Sequence, residues 1–502
     1  MDPILPSRPL IWHPAVKAMR DTLPPSEDVY IVGGTTRDAF LHRPIRDIDL
    51  ATEGDGRPVA RRIANAFSGS YYPLDAERNV GRAIIPWADG QITVDVAQFR
   101  GPDLEADLLH RDFTLNAMAV PLNSDLSHVI DPLGGLHDLE RKLLRRCSPD
   151  SIPSDPIRAL RAVRMGVEFG LRIEPETKVD LKAAAPRVAQ VSPERMRDEL
   201  FHILDARDPA AALRVLYQVG LLQAVVPEVA GLDGIAQGPP HQFDVWHHTL
   251  EAVARLNVFL RVMRGERSDA LTSNMPIGAA VFAFADLRPR IAAELDISWP
   301  QDRSHHALLL LGALMHDTAK AVTRTIADNG QVHFYGHDTI GAEWVHERAK
   351  RLHLSNDEAD RLQTIVRNHM RPHWLNNGPL TPRAIYRYWR DTGSAGVDIC
   401  FQAMADYLAT VASTLDPATW VHYLETVRTL LERYFFKFDT AIAPPALLSG
   451  HDLIERLAIE PGPQVGALLE ALREAQVEQR VVTKQDALKF IQRALEEGSS
   501  ES

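Results

Sequence analysis

The spacing of apolar and polar residues changes character once along this chain. Residues 29–32 form a short apolar run ending in Gly33-Gly34, and helical spacing begins at Thr35. Residues 45–50 and 91–99 alternate apolar with polar or charged positions, the period of a half-buried strand. From Asp155 onward the apolar residues recur at three- and four-residue steps, as in Ile157, Leu160, Val163 and Val167. The pattern predicts an α+β head, a mixed sheet with helices, followed by an all-α remainder. Proline-rich breaks over 227–240 and at 443–445 are the natural linkers. They suggest a head over 1–145, a helical neck and body over 146–235, a histidine-rich helical domain over 236–435 and a helical tail over 436–495. The low-complexity end, 496–502, is expected to be disordered.

Composition narrows the class. At 502 residues the chain is too long for one core. Cys147 and Cys400 make neither a disulfide framework nor a CxxC site, so a reducing interior fits best. No apolar run approaches the roughly 18 residues of a membrane span, and no signal segment opens the chain, so a cytoplasmic protein is expected. The net charge of −12 argues against indiscriminate binding to nucleic acid. Residues 141–164 are nonetheless rich in Arg and Lys, which leaves room for a local basic groove.

Asp47 and Asp49 stand two apart in a strand-like segment, so both carboxylates leave the same face. Paired hard oxygen ligands suit Mg²⁺, which keeps substrate phosphates in its shell. Gly33-Gly34, between strand and helix, lets backbone N–H groups approach a phosphate. Asp95, in a second alternating segment, offers a third carboxylate.

The string Val32-Gly-Gly-Thr-Thr-Arg-Asp38, followed by Arg43-Pro-Ile-Arg-Asp-Ile-Asp-Leu-Ala-Thr52, closely resembles the nucleotidyltransferase motif of class II CCA-adding enzymes and bacterial poly(A) polymerases. Arg111-Asp-Phe-Thr-Leu-Asn-Ala117 is similar to the family's ribose-selecting motif. Asp131-Pro-Leu-Gly-Gly-Leu-His-Asp-Leu139 is similar to its connector, and Asp155-Pro-Ile-Arg-Ala-Leu-Arg-Ala-Val-Arg164 to its base-reading helix. The resemblance covers about 29–200 and implies a polymerase-β-like head. Asp47 and Asp49 would carry Mg²⁺ as catalytic residues, with Asp95 beside them. Gly34 and Arg37 would hold the triphosphate and Arg111 and Asp112 address the ribose, with Gly33, Asp38 and Asn116 also binding the nucleotide. Asp155 and Arg158, taken as neighbours on one helical face continued by Arg161 and Arg164, would read the base edge of ATP or CTP without a template. Ser154 stands where the family usually has Glu, so part of the orientation of Asp155 must come from elsewhere. The short segment 100–107 keeps addition of CC alone or A alone open beside full CCA synthesis.

A second set is His248, His316-Asp317 and Asp406, with His337 and His369 as auxiliaries; His247 rivals His248. In order, these resemble the HD phosphohydrolase superfamily over 240–410. That implies a site for Mg²⁺ or a divalent transition metal, with His316 and Asp317 on an apolar helix spanning 308–320, and hydrolysis of phosphoesters. The tail resembles the family's tRNA-holding segment; a hairpin that braces the HD domain is the other reading. The expected activity is tRNA 3′-end nucleotidyl transfer from CTP and ATP. A poly(A) polymerase, or an HD phosphohydrolase with an RNA-binding head, are the alternatives.

Overall fold

The computed structural model describes residues 3–24, 27–266, 274–457 and 459–499. They fall into two compact units: 1–199 with 214–225, and 200–213 with 226–502. The neck and body expected over 146–235 is therefore shared between the two, because 200–213 and 226–235 pack with the second unit.

The first unit is built on a six-stranded mixed sheet. Its strands are β1 (Val29–Val32), β2 (Asp47–Thr52), β3 (Ser70–Asp75), β4 (Val80–Trp87), β5 (Gly90–Gln98) and β6 (Ala119–Pro121), in the order β3-β4-β5-β2-β1-β6. Alternation decides the faces: Ile48 and Leu50 on β2, and Ile92, Val94 and Val96 on β5, are buried. The intervening Asp47, Asp49, Thr93 and Asp95 point the other way. β2 and β5 run parallel with Asp47 opposite Thr93 and Asp49 opposite Asp95, so the pleat delivers two aspartates from different strands to one level.

The helix Gly33–Leu41 follows β1 directly. The helix Arg158–Glu168 starts later than the apolar periodicity suggests. Asp155 lies outside it in an extended conformation, with φ −146° and ψ 91°. Pro156 accounts for this, since the residue before a proline is driven out of the α region. Asp155 and Arg158 therefore do not share a helical face, contrary to the expectation from the sequence.

The second unit is almost wholly helical. The predicted helix over 308–320 is His305–Met315, so His316 caps it and Asp317 lies in the turn beyond. Side chains end it early: the Thr318 hydroxyl donates to Met315 O at 2.9 Å, and His316 Nδ1 lies 2.7 Å from Ala313 O. The Met315 carbonyl also accepts from Thr318 N at 3.3 Å, a three-residue turn in place of the α-helical step. The tail helices Gly450–Leu457, Pro463–Val477 and Lys484–Ser499 share their own apolar cluster around Leu453, Leu472 and Ile491. Glu474, on the second of these, pairs with Arg383 at 2.6 Å and also with Arg387. Helix continues through 496–499, where disorder was expected; the rest of that segment, 500–502, lies outside the described residues. Among the described residues no helix is long and apolar enough to cross a membrane.

Candidate functional site

In the first unit, Asp49 lines a cavity of about 370 Å³ together with Asp95, Arg111, Asp112, Asn116, Asp155 and Arg158. Asp47 sits two residues earlier on the same face and is exposed. Thr35, from the first turn of Gly33–Leu41, locks this strand in place. Its hydroxyl accepts from Asp49 N at 2.8 Å and donates to Asp47 O at 3.3 Å. Gly33 has φ +65°, and a Cβ there would stand 2.9 Å from Asp49 Oδ2, so both backbone and space require glycine.

Burial pushes the Asp49 carboxyl up; Arg111 pulls it down, and Asp95 and Asp47 push it up again. Three carboxylates crowded on one face call for a cation, and hard oxygen donors fit Mg²⁺. Asp95 is meanwhile held by Arg82, which donates from Nε and one terminal nitrogen at 2.8 Å each. Asp112 is buried, which raises it, but Arg161 and the donors on Asn116 and Phe113 bring it below the usual carboxylate range.

Not every residue assigned to nucleotide reaches the cavity. Arg37 spends Nε and one terminal nitrogen on Asp38 at 2.9 Å, donates to Asn116 at 2.7 Å and lies over the Phe169 ring. It braces the site, while Arg78, Arg100 and Arg111 line the cavity in its stead. Arg164 is taken up by Glu199 and Glu168; Arg161, shared between Asp112 and Glu199, stays on the cavity wall. Sequence reasoning missed Thr35, Arg82, Arg100 and Arg195. Only Thr35, inside the quoted motif, carried a signal that could have exposed it.

In the second unit six ligand-type residues converge. His248 Nε2 is 2.8 Å from Asp406 Oδ1, and His316 Nε2 is 3.7 Å from the same oxygen. On the other side His337 Nε2 lies 3.5 Å and His369 Nε2 4.0 Å from Asp317 Oδ1. Asp317 joins the two groups, its Oδ2 being 3.2 Å from His316 Nε2. The set therefore reads as two ligand triads, His248/His316/Asp406 and Asp317/His337/His369. His247 is exposed and bonded to Asp244, which removes it as a rival.

Three of these imidazoles share one arrangement. Nδ1 of His316, His337 and His369 lies within 2.8 Å of the carbonyl three residues earlier: Ala313, Phe334 and Val366. A carbonyl only accepts, so Nδ1 carries the proton and Nε2 keeps its lone pair for a cation. Burial and the neighbouring His316 and His337 lower His369 to about 3, which keeps it neutral as a ligand must be. Burial opposes charge on His316, but Asp317 and Asp406 raise it to about 10, so a cation binding at its Nε2 has to displace a proton held there by the two carboxylates. His316 Nε2 and Asp317 Oδ1 are buried without a hydrogen bond, as donors to a cation would be, while Asp317 Oδ2 already has the Lys320 ammonium at 2.7 Å. His373, not foreseen, holds Asp406 Oδ2 at 2.9 Å and meets the Tyr423 hydroxyl at 3.1 Å through its other nitrogen.

Residues 29–145 match the Poly A polymerase head domain, 170–232 an RNA- and SrmB-binding site of polymerase A, 284–395 the HD domain and 445–491 tRNA nucleotidyltransferase domain 2. The chain is 32% identical over 492 residues to the A-adding tRNA nucleotidyltransferase of Deinococcus radiodurans, covering 95% of this chain and 98% of that protein. It is 30% identical over 472 residues to the CC-adding tRNA nucleotidyltransferase of Thermus thermophilus, covering 93% of each. Its fold is similar to that of a CCA-adding enzyme solved with CTP, with a TM-score of 0.62 at 19% identity and 96% of each chain covered.

Proposed function

Because the chain belongs to the tRNA nucleotidyltransferase family, we propose that it extends the 3′ end of tRNA with part of the CCA sequence, the two Cs or the terminal A. It is a nucleotidyltransferase carrying an HD domain, and both families work with divalent metals. Partial addition is favoured over full CCA synthesis by the relatives. Of the relatives at least 30% identical in sequence, the two matching along nearly the whole chain are A-adding and CC-adding enzymes, whereas the multifunctional CCA protein of Xanthomonas campestris matches 42% of it.

The observation that carries the chemistry is the common cavity: Asp49, Asp155 and Arg158 all line it. Asp47 and Asp49 would hold Mg²⁺, which neutralises phosphate charge and lowers the pKa of the attacking hydroxyl. Arg100 and Arg111 offer cationic walls to the triphosphate, and the buried Asp112 and Asn116 address the ribose. Arg158 uses three of its five N–H donors on the carbonyls of His110, Arg111 and Ser151. The remaining donors and the carboxylate of Asp155 make a donor–acceptor edge. It fits the ring nitrogen and exocyclic amine of adenine or cytosine and opposes guanine and uracil.

The six-residue centre of the second unit would hold two divalent cations, transition metals or Mg²⁺, with Asp317 between them, and hydrolyse phosphoesters. The natural setting of both activities is the cytoplasm. The test uses tRNA transcripts ending before CCA, at C and at CC, with labelled CTP and ATP supplied separately. Extension confined to CC ends by ATP, or to shorter ends by CTP, supports partial addition. Long A tracts on unrelated RNA would overturn it.

A further inference from the structure

Asp155 lacks the support that a helix would give it. Its backbone is extended, and the Ser154 hydroxyl turns back to Ser151 O at 3.2 Å. The Asp155 carboxylate instead meets Arg195, from the helix Pro193–Leu204, whose terminal nitrogen donates to Oδ2 at 2.8 Å. Arg158 Nε is 4.0 Å from that same oxygen. No hydrogen bond among the described residues reaches Oδ1, so one carboxylate oxygen is fixed and the other is left for a ligand. Arg195 also lines the cavity that contains Asp49 and Arg158, although its side chain remains half exposed.

We infer that Arg195 is a positioning residue for nucleotide choice, clamping Asp155 so that Oδ1 alone faces the exocyclic amine of adenine or cytosine. The inference rests on the base-reading role proposed above for Asp155 and Arg158. A carboxylate tethered at one oxygen cannot swing aside, so guanine or uracil must bring a carbonyl oxygen against Oδ1. That like-charged approach is what rejects them. Released from Arg195, the carboxylate rotates away or takes water, and the wrong base is tolerated while the right one is held less well. The clamp does for Asp155 what a helical setting and a preceding acidic residue would otherwise do.

The experiment uses the full chain and the tRNA transcripts above, with each of the four nucleoside triphosphates in turn. For Arg195→Ala, the preference for the cognate nucleotide over GTP and UTP should fall about tenfold or more, the worth of one charge-assisted hydrogen bond. The loss should appear mainly in KM, with an unchanged melting temperature. Arg195→Lys, which keeps one charged donor, should recover part of the preference. Asp155→Asn combined with Arg195→Ala should lose no more selectivity than Asp155→Asn alone. The proposal is overturned if Arg195→Ala slows all four nucleotides equally, accelerates the cognate one, or leaves the preference intact while wild type is selective. If wild type itself takes all four alike, the base-reading role fails first and the clamp with it.

Discussion

Asp49 and Asp95 occupy paired positions on the parallel strands β2 and β5, and Arg82 grips the second of them through two 2.8 Å hydrogen bonds. The relationship gives the two aspartates unequal standing. Asp49 is raised by burial and by its acidic neighbours, so a divalent cation relieves it; Asp95 already has a counter-charge. Asp49→Ala should therefore reduce nucleotide incorporation on the order of a thousandfold, the several kcal/mol a metal contributes to a phosphoryl transition state. Asp95→Asn should cost less, because Arg82 keeps the strand edge in place. Single-turnover incorporation at saturating Mg²⁺ measures both; equal losses would mean that Asp95 is a full metal ligand.

Thr35 ties the helix Gly33–Leu41 to β2 from a fully buried position. Thr35→Val keeps the shape but leaves Asp49 N without its acceptor, at a cost of about 1–3 kcal/mol. Lower thermal stability should accompany a drop in kcat that exceeds any change in KM for the nucleotide. Thr35→Ser, which restores the hydroxyl, should recover most of both. A valine variant with wild-type kcat would show that the strand holds Asp49 without help.

What the sequence made legible follows from the range of the forces involved. Alternation on β2 and β5 is local and matches the strands found, and the residues singled out from His248 to Asp406 come together in the second unit. The pairing of Asp49 with Asp95 depends on a crossover joining distant strands, which no local pattern encodes. Asp155 was misplaced because apolar periodicity runs through Pro156 without registering its effect on the preceding residue. The helix before His316 was drawn too long because its end is set by the His316 and Thr318 side chains rather than by glycine or proline. Arg37 turns to Asp38 and Asn116, and Arg195, unmarked in the sequence, reaches the cavity beside Asp155: which arginine lines a cavity depends on which acceptors stand nearby in space.

The position of Asp317 between two histidine groups predicts that its loss empties the second unit of both cations together. Asp317→Ala should bind markedly less divalent metal by elemental analysis and lose phosphoesterase activity, while tRNA extension continues at the wild-type rate. His369→Ala, touching one triad, should retain part of the metal. Full metal content in Asp317→Ala would refute the shared-ligand arrangement.

Acid should weaken the second unit through a different aspartate. Asp398 is buried, which alone would raise it, but His305 at 3.1 Å and Arg361 at 2.6 Å outweigh burial and leave it below its ordinary value. A carboxylate depressed in the folded state contributes stability above its unfolded pKa of about 3.9, and that stability is lost as pH falls through the lower folded value. The melting temperature of the wild-type protein should thus decline as pH drops below about 4. Asp398→Asn strands the Arg361 guanidinium without a counter-charge, so it should melt lower at neutral pH by the equivalent of about 3–5 kcal/mol. Its melting temperature should also change less with acid, because the titrating carboxylate is gone. Thermal melts of both proteins between neutral and acid pH decide the point, and parallel curves would place the acid-labile group elsewhere.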